Sequence, residues 1–338
     1  MKIIEILPEL DIGGVERHVI DLSNELAERG HSVLVLSAGG KMLCQLSQKT
    51  EHRILPVHKK NPFTGYLCAR KIAAWIKKEG WQIIHAHSRV PAWIADWASS
   101  MSGIPFLVTA HVDFGNKSRW IYRPYRRAAR VICVSGAVRD GMKECFYDNT
   151  QVILNGLGHT DFRWSGTECG VPVKFLFVGR LAQVKGLQDV LKAMPSGDGW
   201  TLEVIGDGPM RRDLEELSDR LGLINKVKFY GYSDRVDEFM ARSSCLLFPS
   251  YIEGMPLTLA RAVQIGIPVI ASNIAPVAEM AGTDEGLLPP GDIAKWNEAI
   301  RVFINTGKTG SHFPVSCVPT LKDMVDKDLS VYYEIAGK

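Results

Sequence analysis

The chain has 338 residues, 46% of them hydrophobic, with a formal net charge of +3. That length exceeds what one core usually fills, so two domains of an ordinary globular protein are expected. A charge so near zero gives no case for a nucleic-acid partner, and seven cysteines scattered without a Cys-x-x-Cys pair fit reduced thiols in a cytosolic protein rather than a disulfide framework.

The start, Met1-Lys2-Ile3-Ile4-Glu5, reaches an acid too early for a signal-peptide core, and no apolar run approaches the ~20 residues of a membrane helix. The protein is expected to be neither secreted by that route nor membrane-spanning. Short β-rich runs then alternate with helical patterns, with strands expected at 3–7, 33–37, 83–86, 106–110, 131–135 and 152–154. This is the βαβ rhythm of a parallel sheet. In the first intervening helix Val15, Val19, Leu22 and Leu26 share one face, and Gly30 supplies the stop. Between 155 and 172 the pattern breaks into a connector with Gly156, Gly158, Gly166, Gly170 and Pro172, and a hinge is expected near 163–172. Strands resume at 174–178, 202–205, 227–230, 245–248 and 269–271. The expected fold is α/β with two Rossmann-like domains, 1–165 and 166–320. The last helical pattern, 321–335, fits either completing the second domain or crossing back to brace the first.

Several stretches at strand ends carry groups suited to chemistry. Gly13-Gly14 follows the first strand and opens a helix, where backbone can approach a phosphate or sugar; a tight turn explains the pair equally well. The dinucleotide pattern Gly-x-Gly-x-x-Gly is absent from Asp11 to Arg17, which disfavours a dehydrogenase. His85 and His87 share one face of a strand, but no third metal ligand is evident from spacing, so no metal is expected. His111 ends a strand of the first domain and could bond a sugar hydroxyl. Residues 117–130 mix cations and rings with no acid, a composition that can rest on an anionic bilayer or form an ordinary solvated helix face whose aromatics join the core.

The second half is more specific. Arg180 and Lys185, bracketed by Gly179 and Gly186, follow its first strand and could clamp a diphosphate, the guanidinium as a fork and the ammonium as a point charge. Gly206-Asp207-Gly208 and Gly231-Tyr232 repeat the strand-then-glycine pattern and suit loops around a nucleoside, or tight turns alone. After the apolar run 245–248, Glu253 offers a carboxylate to sugar hydroxyls, and the amides of Gly254, Met255, Pro256-flanked backbone and Leu257 lead into a helix able to receive phosphate oxygens.

Taken in order, these motifs resemble retaining glycosyltransferases of the GT-B fold, family 4 type, as in bacterial lipopolysaccharide and polysaccharide assembly. The motifs are Gly13-Gly14, Thr109-Ala110-His111, Val134 to Arg139, Asn155-Gly156, Gly179-Arg180 with Lys185-Gly186, Gly206 to Pro209, and Pro249 through Ile270. The resemblance implies domains facing across a cleft, Arg180 and Lys185 on the donor diphosphate, and Glu253 with the 254–257 amides on donor sugar and phosphate. It further implies His111 on the sugar and a final helix crossing back to the first domain. One position departs from the family. Where a second glutamate usually accepts the ribose hydroxyls, this chain has Arg261, which has no acceptor lone pair but could add charge at the diphosphate.

The leading expectation is therefore a metal-independent hexosyltransferase with no cofactor. Its partners would be a nucleoside-diphosphate sugar, a glycan or glycolipid acceptor, and an anionic membrane reached through 117–130. It would be cytoplasmic or peripheral at the inner face of the membrane. The alternatives are a degenerate sugar-nucleotide-binding protein, motivated by Arg261, and a sugar-nucleotide epimerase of similar fold.

Overall fold

The computed structural model describes residues 1–113, 115, 118, 120–146, 149–166 and 172–337. The chain divides into two compact units, Met1–Gly158 with Pro319–Lys338, and His159–Val318.

The first unit is built on a parallel sheet of β1 (Lys2–Ile6), β2 (Ser32–Ser37), β3 (Glu51–Ile54), β4 (Ile83–His87), β5 (Phe106–Ala110), β6 (Arg130–Cys133) and β7 (Thr150–Val152), in the order β3-β2-β1-β4-β5-β6-β7. In the second unit β8 (Val173–Val178), β9 (Trp200–Ile205), β10 (Val227–Gly231), β11 (Cys245–Phe248) and β12 (Val269–Ala271) are ordered β10-β9-β8-β11-β12, again all parallel. Central strands are apolar runs because helices cover both faces; every residue of β4, β5 and β11 is buried. The strand missing from the sequence reading is β3, whose Glu-His-Arg-Ile lies at the sheet edge with Ile54 68% exposed. A charged edge strand has no apolar signature, and its charges discourage pairing with another chain. Each unit thus has the Rossmann-like order, which reverses between β1 and β4 and again between β8 and β11. Crevices at the carboxyl ends of strands open at such reversals.

The change of unit falls at 158/159, earlier than the 163–172 hinge expected from glycine content, of which 167–171 lie outside the described residues. Trp164 explains the difference. Its backbone N–H donates to Ile265 O at 2.9 Å and its indole N–H to Ser243 O at 2.9 Å, while the Ser165 N–H donates to Ala241 O at 3.2 Å. The aromatic anchor commits this stretch to the second unit.

The returning chain is zipped to the outgoing one. Leu157 N–H donates to Pro319 O at 3.0 Å, and Leu321 N–H donates to Leu157 O at 2.9 Å. A Cβ at Gly156 would lie 2.2 Å from Thr320 O, so only glycine permits this approach. The Leu321–Ile335 helix then starts from a capping box between Thr320 and Asp323. Met324, Val325, Leu329, Val331 and Tyr332 enter the same core as Val19, Leu22 and Leu26 of the Gly14–Glu28 helix. Each such side chain contributes roughly 1.5–3 kcal/mol on burial. Arg29 pairs with Asp326 and Arg130 with Glu334 at the helix surface.

One polar residue of that helix works against the fold at neutral pH. Asp328 is 1% exposed, its Oδ2 has no hydrogen-bond partner, and burial pushes its carboxyl up from 3.8 to about 7 despite the charge of His85. A folded-state pKa above the unfolded one means that the folded form holds more protons between those values, so stability is lost as pH rises through that window. Asp328→Asn should therefore melt with wild type near pH 4 and become progressively more stable than wild type up to pH 8. The gain should reach at most about 4 kcal/mol, read from urea melts at each pH.

Candidate functional site

In the second unit the two strands flanking the order reversal carry the functional loops. β8 ends in Gly179-Arg180, continues through a 3₁₀ turn at Gln183–Lys185, and enters the Leu187–Ala193 helix. β11 ends in Pro249-Ser250 and passes through Glu253 to the Leu257–Ile265 helix. The loops are tied by the Tyr251 N–H donating to Val184 O at 2.8 Å and by the Tyr251 hydroxyl donating to Asp189 Oδ2 at 2.8 Å. Between them Lys185 Nζ donates to Glu253 Oε1 at 2.6 Å, with both side chains largely shielded from water. The sequence placed these two groups in one site; the fold puts them in direct contact. Arg180 is exposed, and none of the described residues pairs with its guanidinium, so it is available to an anion.

The neighbouring loop ends are held by backbone. Gly179 N–H donates to Ile205 O at 3.0 Å, Leu181 N–H to Asp207 O at 2.9 Å, and Gly206 N–H to Gly231 O at 2.7 Å. Tyr232 follows Gly231 and is 46% exposed, whereas Gly254, Met255 and Pro256 are buried beneath the start of the Leu257–Ile265 helix. A nucleoside can reach the first; of the second group, only the outward face of the turn is available. Arg261, on the third residue pair of that helix, lies 3.4 Å through Nε from Asp237 Oδ1 and donates from Nη1 to Gln264 Oε1 at 2.7 Å. Its charge is matched by an acid from the Val236–Arg242 helix, a residue the sequence gave no reason to single out.

The first unit gathers a polar cluster at its own strand-order reversal. Glu5 on β1, His85 and His87 on β4 and Tyr332 on the last helix are all fully buried. The Glu5 carboxylate accepts from His87 Nε2 at 2.7 Å and from the Tyr332 hydroxyl at 3.2 Å; that hydroxyl also lies 2.6 Å from His85 Nδ1. His85 Nε2 meets Thr109 Oγ1 at 2.7 Å. His87 Nδ1 is 3.0 Å from Nε2 of His111, which is half-buried just beyond β5. Burial pulls the Glu5 carboxyl upward, but the charge of His85 and the hydrogen bonds from His85 and His87 overcome it and hold the group well below the usual carboxylate range. Burial and the charge of His85 push His87 down to about 4, against the pull of Glu5. Burial, then the neighbouring histidines, holds His18 and His111 well below the ordinary imidazole value.

Spacing in the sequence showed no third candidate ligand beside His85 and His87; the fold brings further polar side chains to them. Glu5 joins that pair, and His18 with His87 and His111 forms a second group whose ligand atoms lie within 4.8 Å of one another. The partners come from β1 and the Gly14–Glu28 helix, too distant in the chain for spacing to reveal. At Gly13, the N-cap of that helix, a Cβ would meet Glu16 Oε2 at 2.2 Å. The protein's own Glu16 carboxylate therefore stands over Gly13, where the backbone was expected either to approach a phosphate or sugar or to form a tight turn.

The basic aromatic segment divides. Lys117 and Arg119 lie outside the described residues. Trp120 is 70% exposed, but Tyr122 and Tyr125 are buried, packing with Phe146 rather than facing outward, and Arg127 pairs with Asp96 at 3.3 Å. A five-residue helix, Arg123–Arg127, carries Pro124 in its first turn, with Tyr122 at its N-cap and Tyr125 within it. Among the described residues no helix is long and apolar enough to cross a membrane.

Residues 12–159 match the family model described as Glycosyltransferase Family 4, and residues 160–313 match Glycosyl transferases group 1. The chain belongs to this group of glycosyltransferases, and its two Rossmann-like units are those of the GT-B fold. Among the relatives it resembles is a glycogen synthase of Mycobacterium tuberculosis, 25% identical over 348 residues that span 88% of this chain and 84% of the relative. A glycosyltransferase structure from Rickettsia africae superposes with a TM-score of 0.81 at 23% identity, covering 98% of both chains. HepE of Anabaena, solved with UDP and glucose, gives a TM-score of 0.81 at 21% identity over 98% of this chain and 99% of its own.

The closeness of the loops after β8 and β11 depends on Gly186, whose φ is +73° and whose Cβ, if present, would lie 2.1 Å from Pro249 O. Gly186→Ala should cost more than about 1 kcal/mol and force the Lys185 turn away from Glu253. A urea melt would register the first effect, and loss of nucleotide-induced thermal stabilisation the second.

Proposed function

We propose that the chain is a retaining, metal-independent hexosyltransferase that moves a hexose-type sugar from a nucleoside-diphosphate sugar to a bacterial glycan or glycolipid hydroxyl in lipopolysaccharide, capsule or exopolysaccharide assembly. The observation that carries this reading is the 2.6 Å contact of Lys185 with Glu253 at the β8/β11 reversal, with the unpaired Arg180 guanidinium on the same loop. One anion-binding pair and one hydrogen-bond acceptor, side by side, fit a ligand that joins a diphosphate to a sugar.

The chemistry follows from those charges. Arg180 and Lys185 would hold the diphosphate and stabilise the negative charge that grows as it departs. The departing β-phosphate would take the proton of the acceptor hydroxyl on the same face of the sugar, so configuration is retained and no covalent enzyme intermediate is needed. Glu253, steadied by Lys185, would orient the donor sugar and favour the positive charge developing at its anomeric carbon. His111 would contact the sugar, as the resemblance implies, and Tyr232 would lie against the nucleoside. Asp237, drawn to Arg261, is the acid best placed to offer acceptor oxygens near the position where relatives carry a ribose-binding glutamate.

A membrane-facing role for the first unit draws support from a run of aromatic rings with exposed ends. Tyr66, Trp97, Trp93 and Trp120 are neighbours with centroids 6.4, 5.7 and 5.3 Å apart; Tyr66 and Trp120 at the two ends are exposed and the tryptophans between them half-buried, while Phe63 is 71% exposed and Lys59, Lys60, Arg70 and Arg123 are exposed as well. Rings at headgroup depth and cations on lipid phosphates suit peripheral binding to an anionic inner leaflet.

HepE, solved with UDP, makes a UDP-sugar the first donor to try. A saturating nucleoside diphosphate, at about 100 times its dissociation constant, should stabilise the protein by roughly 2.7 kcal/mol. Arg180→Ala and Lys185→Ala should abolish that shift, and Glu253→Gln should retain it while cutting sugar transfer at least about 100-fold. Near-normal transfer in all three variants would refute the assignment, whereas binding without transfer in wild type would favour a degenerate sugar-nucleotide-binding protein. For the membrane surface, Phe63→Ser with Trp120→Ser should reduce sedimentation with anionic vesicles several-fold at low salt; unchanged sedimentation would remove that surface from the proposal.

A further inference from the structure

Three histidines from separate elements meet at the carboxyl ends of the first unit's strands. His18 lies on the buried face of the Gly14–Glu28 helix, His87 ends β4, and His111 stands just beyond β5. Each offers a ring nitrogen, and these nitrogens lie within 4.8 Å of one another. The ring centroids are 5.5 Å apart for His18 and His87, 5.0 Å for His18 and His111, and 5.3 Å for His87 and His111. Three imidazoles around one tetrahedral ion, with metal–nitrogen bonds of about 2.0–2.1 Å, hold their centroids roughly 5.2 Å apart. The rings therefore already stand at ligand spacing.

An unmet need distinguishes this trio from an ordinary buried network. His18 is 6% exposed, yet neither of its ring nitrogens makes a hydrogen bond of proper geometry, and the same holds for Oδ1 of the neighbouring Asn155. An ion on one nitrogen of His18 would satisfy its lone pair and leave the other nitrogen to donate to Asn155. His87 Nδ1 and His111 Nε2 face each other at 3.0 Å, and a small rotation takes them to the roughly 3.3 Å that separates two ligands of one tetrahedral ion. Behind His87, Nε2 lies 2.7 Å from Glu5 Oε2, so a carboxylate backs this imidazole as it does many ligating histidines. The adjacent trio of Glu5, His85 and His87 is equally close-set, but both nitrogens of His85 are engaged, Nδ1 at 2.6 Å from the Tyr332 hydroxyl and Nε2 at 2.7 Å from Thr109 Oγ1. That trio is also fully buried, whereas His111 is half-buried and gives an ion a way in.

We propose that His18, His87 and His111 form a tridentate site for a divalent cation of the Zn²⁺ type, with Glu5 as the partner that orients His87. Three imidazoles and no oxygen ligand suit Zn²⁺, Co²⁺ or Cu²⁺ rather than Mg²⁺ or Ca²⁺. Bound there, the ion ties the helix after β1 to the ends of β4 and β5 and keeps a fourth position open. Ligation of His111 through Nε2 leaves its Nδ1 outside the site. The ion takes no part in the sugar transfer proposed above, whose charged groups belong to the second unit.

Protein stripped with a chelator should take up one equivalent of Zn²⁺ in a calorimetric titration and melt at a higher temperature with it. Its Co²⁺ form should show the visible bands of a four-coordinate site without a thiolate charge-transfer band. No uptake, or a cobalt spectrum with a thiolate band, would overturn the assignment. His18→Ala and His111→Ala should each weaken Zn²⁺ binding by more than the roughly tenfold lost with an orienting partner, and His159→Ala, at an exposed histidine, should leave it unchanged. Undiminished binding in either folded ligand variant would overturn the trio.

Should those variants fail to fold, ¹⁵N-histidine-labelled wild type decides: one equivalent of Zn²⁺ should shift the ring signals of His18, His87 and His111 and spare His159. A shift of His85 without His18 would move the ion to the other trio and overturn the site. The thermal gain from Zn²⁺ should be the same with and without UDP. A gain that requires UDP would put the ion on the diphosphate and overturn the proposal, whereas failure of every sugar nucleotide as a donor would defeat the proposed transfer and leave the metal site standing.

Discussion

The first unit is organised around a carboxylate that never meets water. An ionised group with no exposure is tolerated only when its hydrogen bonds are complete, and Glu5 achieves this by drawing on β4 and on the last helix of the chain at once. The consequence spreads outward. At the β1–β4 reversal these groups form a buried polar floor, and His111 at its rim is joined to it through the 3.0 Å contact with His87. The C-terminal helix is thereby more than a hydrophobic cover, since Tyr332 completes the shell of a charge near the centre of the sheet.

The second unit solves a similar problem with opposite intent. Its cation and carboxylate meet at the loop ends, partly shielded, and no enclosing shell absorbs their charge. A pair of this kind is worth little to stability, because the Coulomb gain is offset by lost hydration. Its value lies in holding two groups at fixed separation while leaving their remaining hydrogen-bonding capacity for a ligand. The backbone bonds among β8, β9 and β10 serve the same end by anchoring loops that otherwise have only glycine at their tips.

Much of the fold was legible because buried parallel strands must be apolar on both faces. Runs such as Phe106–Ala110, Cys245–Phe248 and Val269–Ala271 are read directly from that requirement. Glu51–Ile54 escaped because an edge strand is under no such demand. The positions of Arg180, Lys185 and Glu253 were legible for a related reason: they follow strands closely, so their location is inherited from local order. The histidine cluster was not. In the sequence Glu5 served only to rule out a signal peptide, and nothing in linear spacing connects it to His87, His18 or Tyr332. Tyr122 and Tyr125 are the converse case, in which composition left an outward surface and core-packed rings both open and the fold buries both rings.

The return of the chain to its starting unit has a bearing on biosynthesis. Residues leave the ribosome in order, so the sheet of the first unit is made long before the helix that covers one of its faces. Until residues 319–335 emerge, Val19, Leu22 and Leu26 lack a wall and Glu5 lacks the tyrosine that completes its shell. The second unit, continuous from 159 to 318, has its whole sequence available first. Vectorial synthesis thus favours a nascent chain whose later half can consolidate while its earlier half waits, with an apolar surface exposed for the time needed to translate the intervening unit. That interval is when the protein would draw most on chaperones, and a premature stop before codon 319 would strand the first unit in the same incomplete condition.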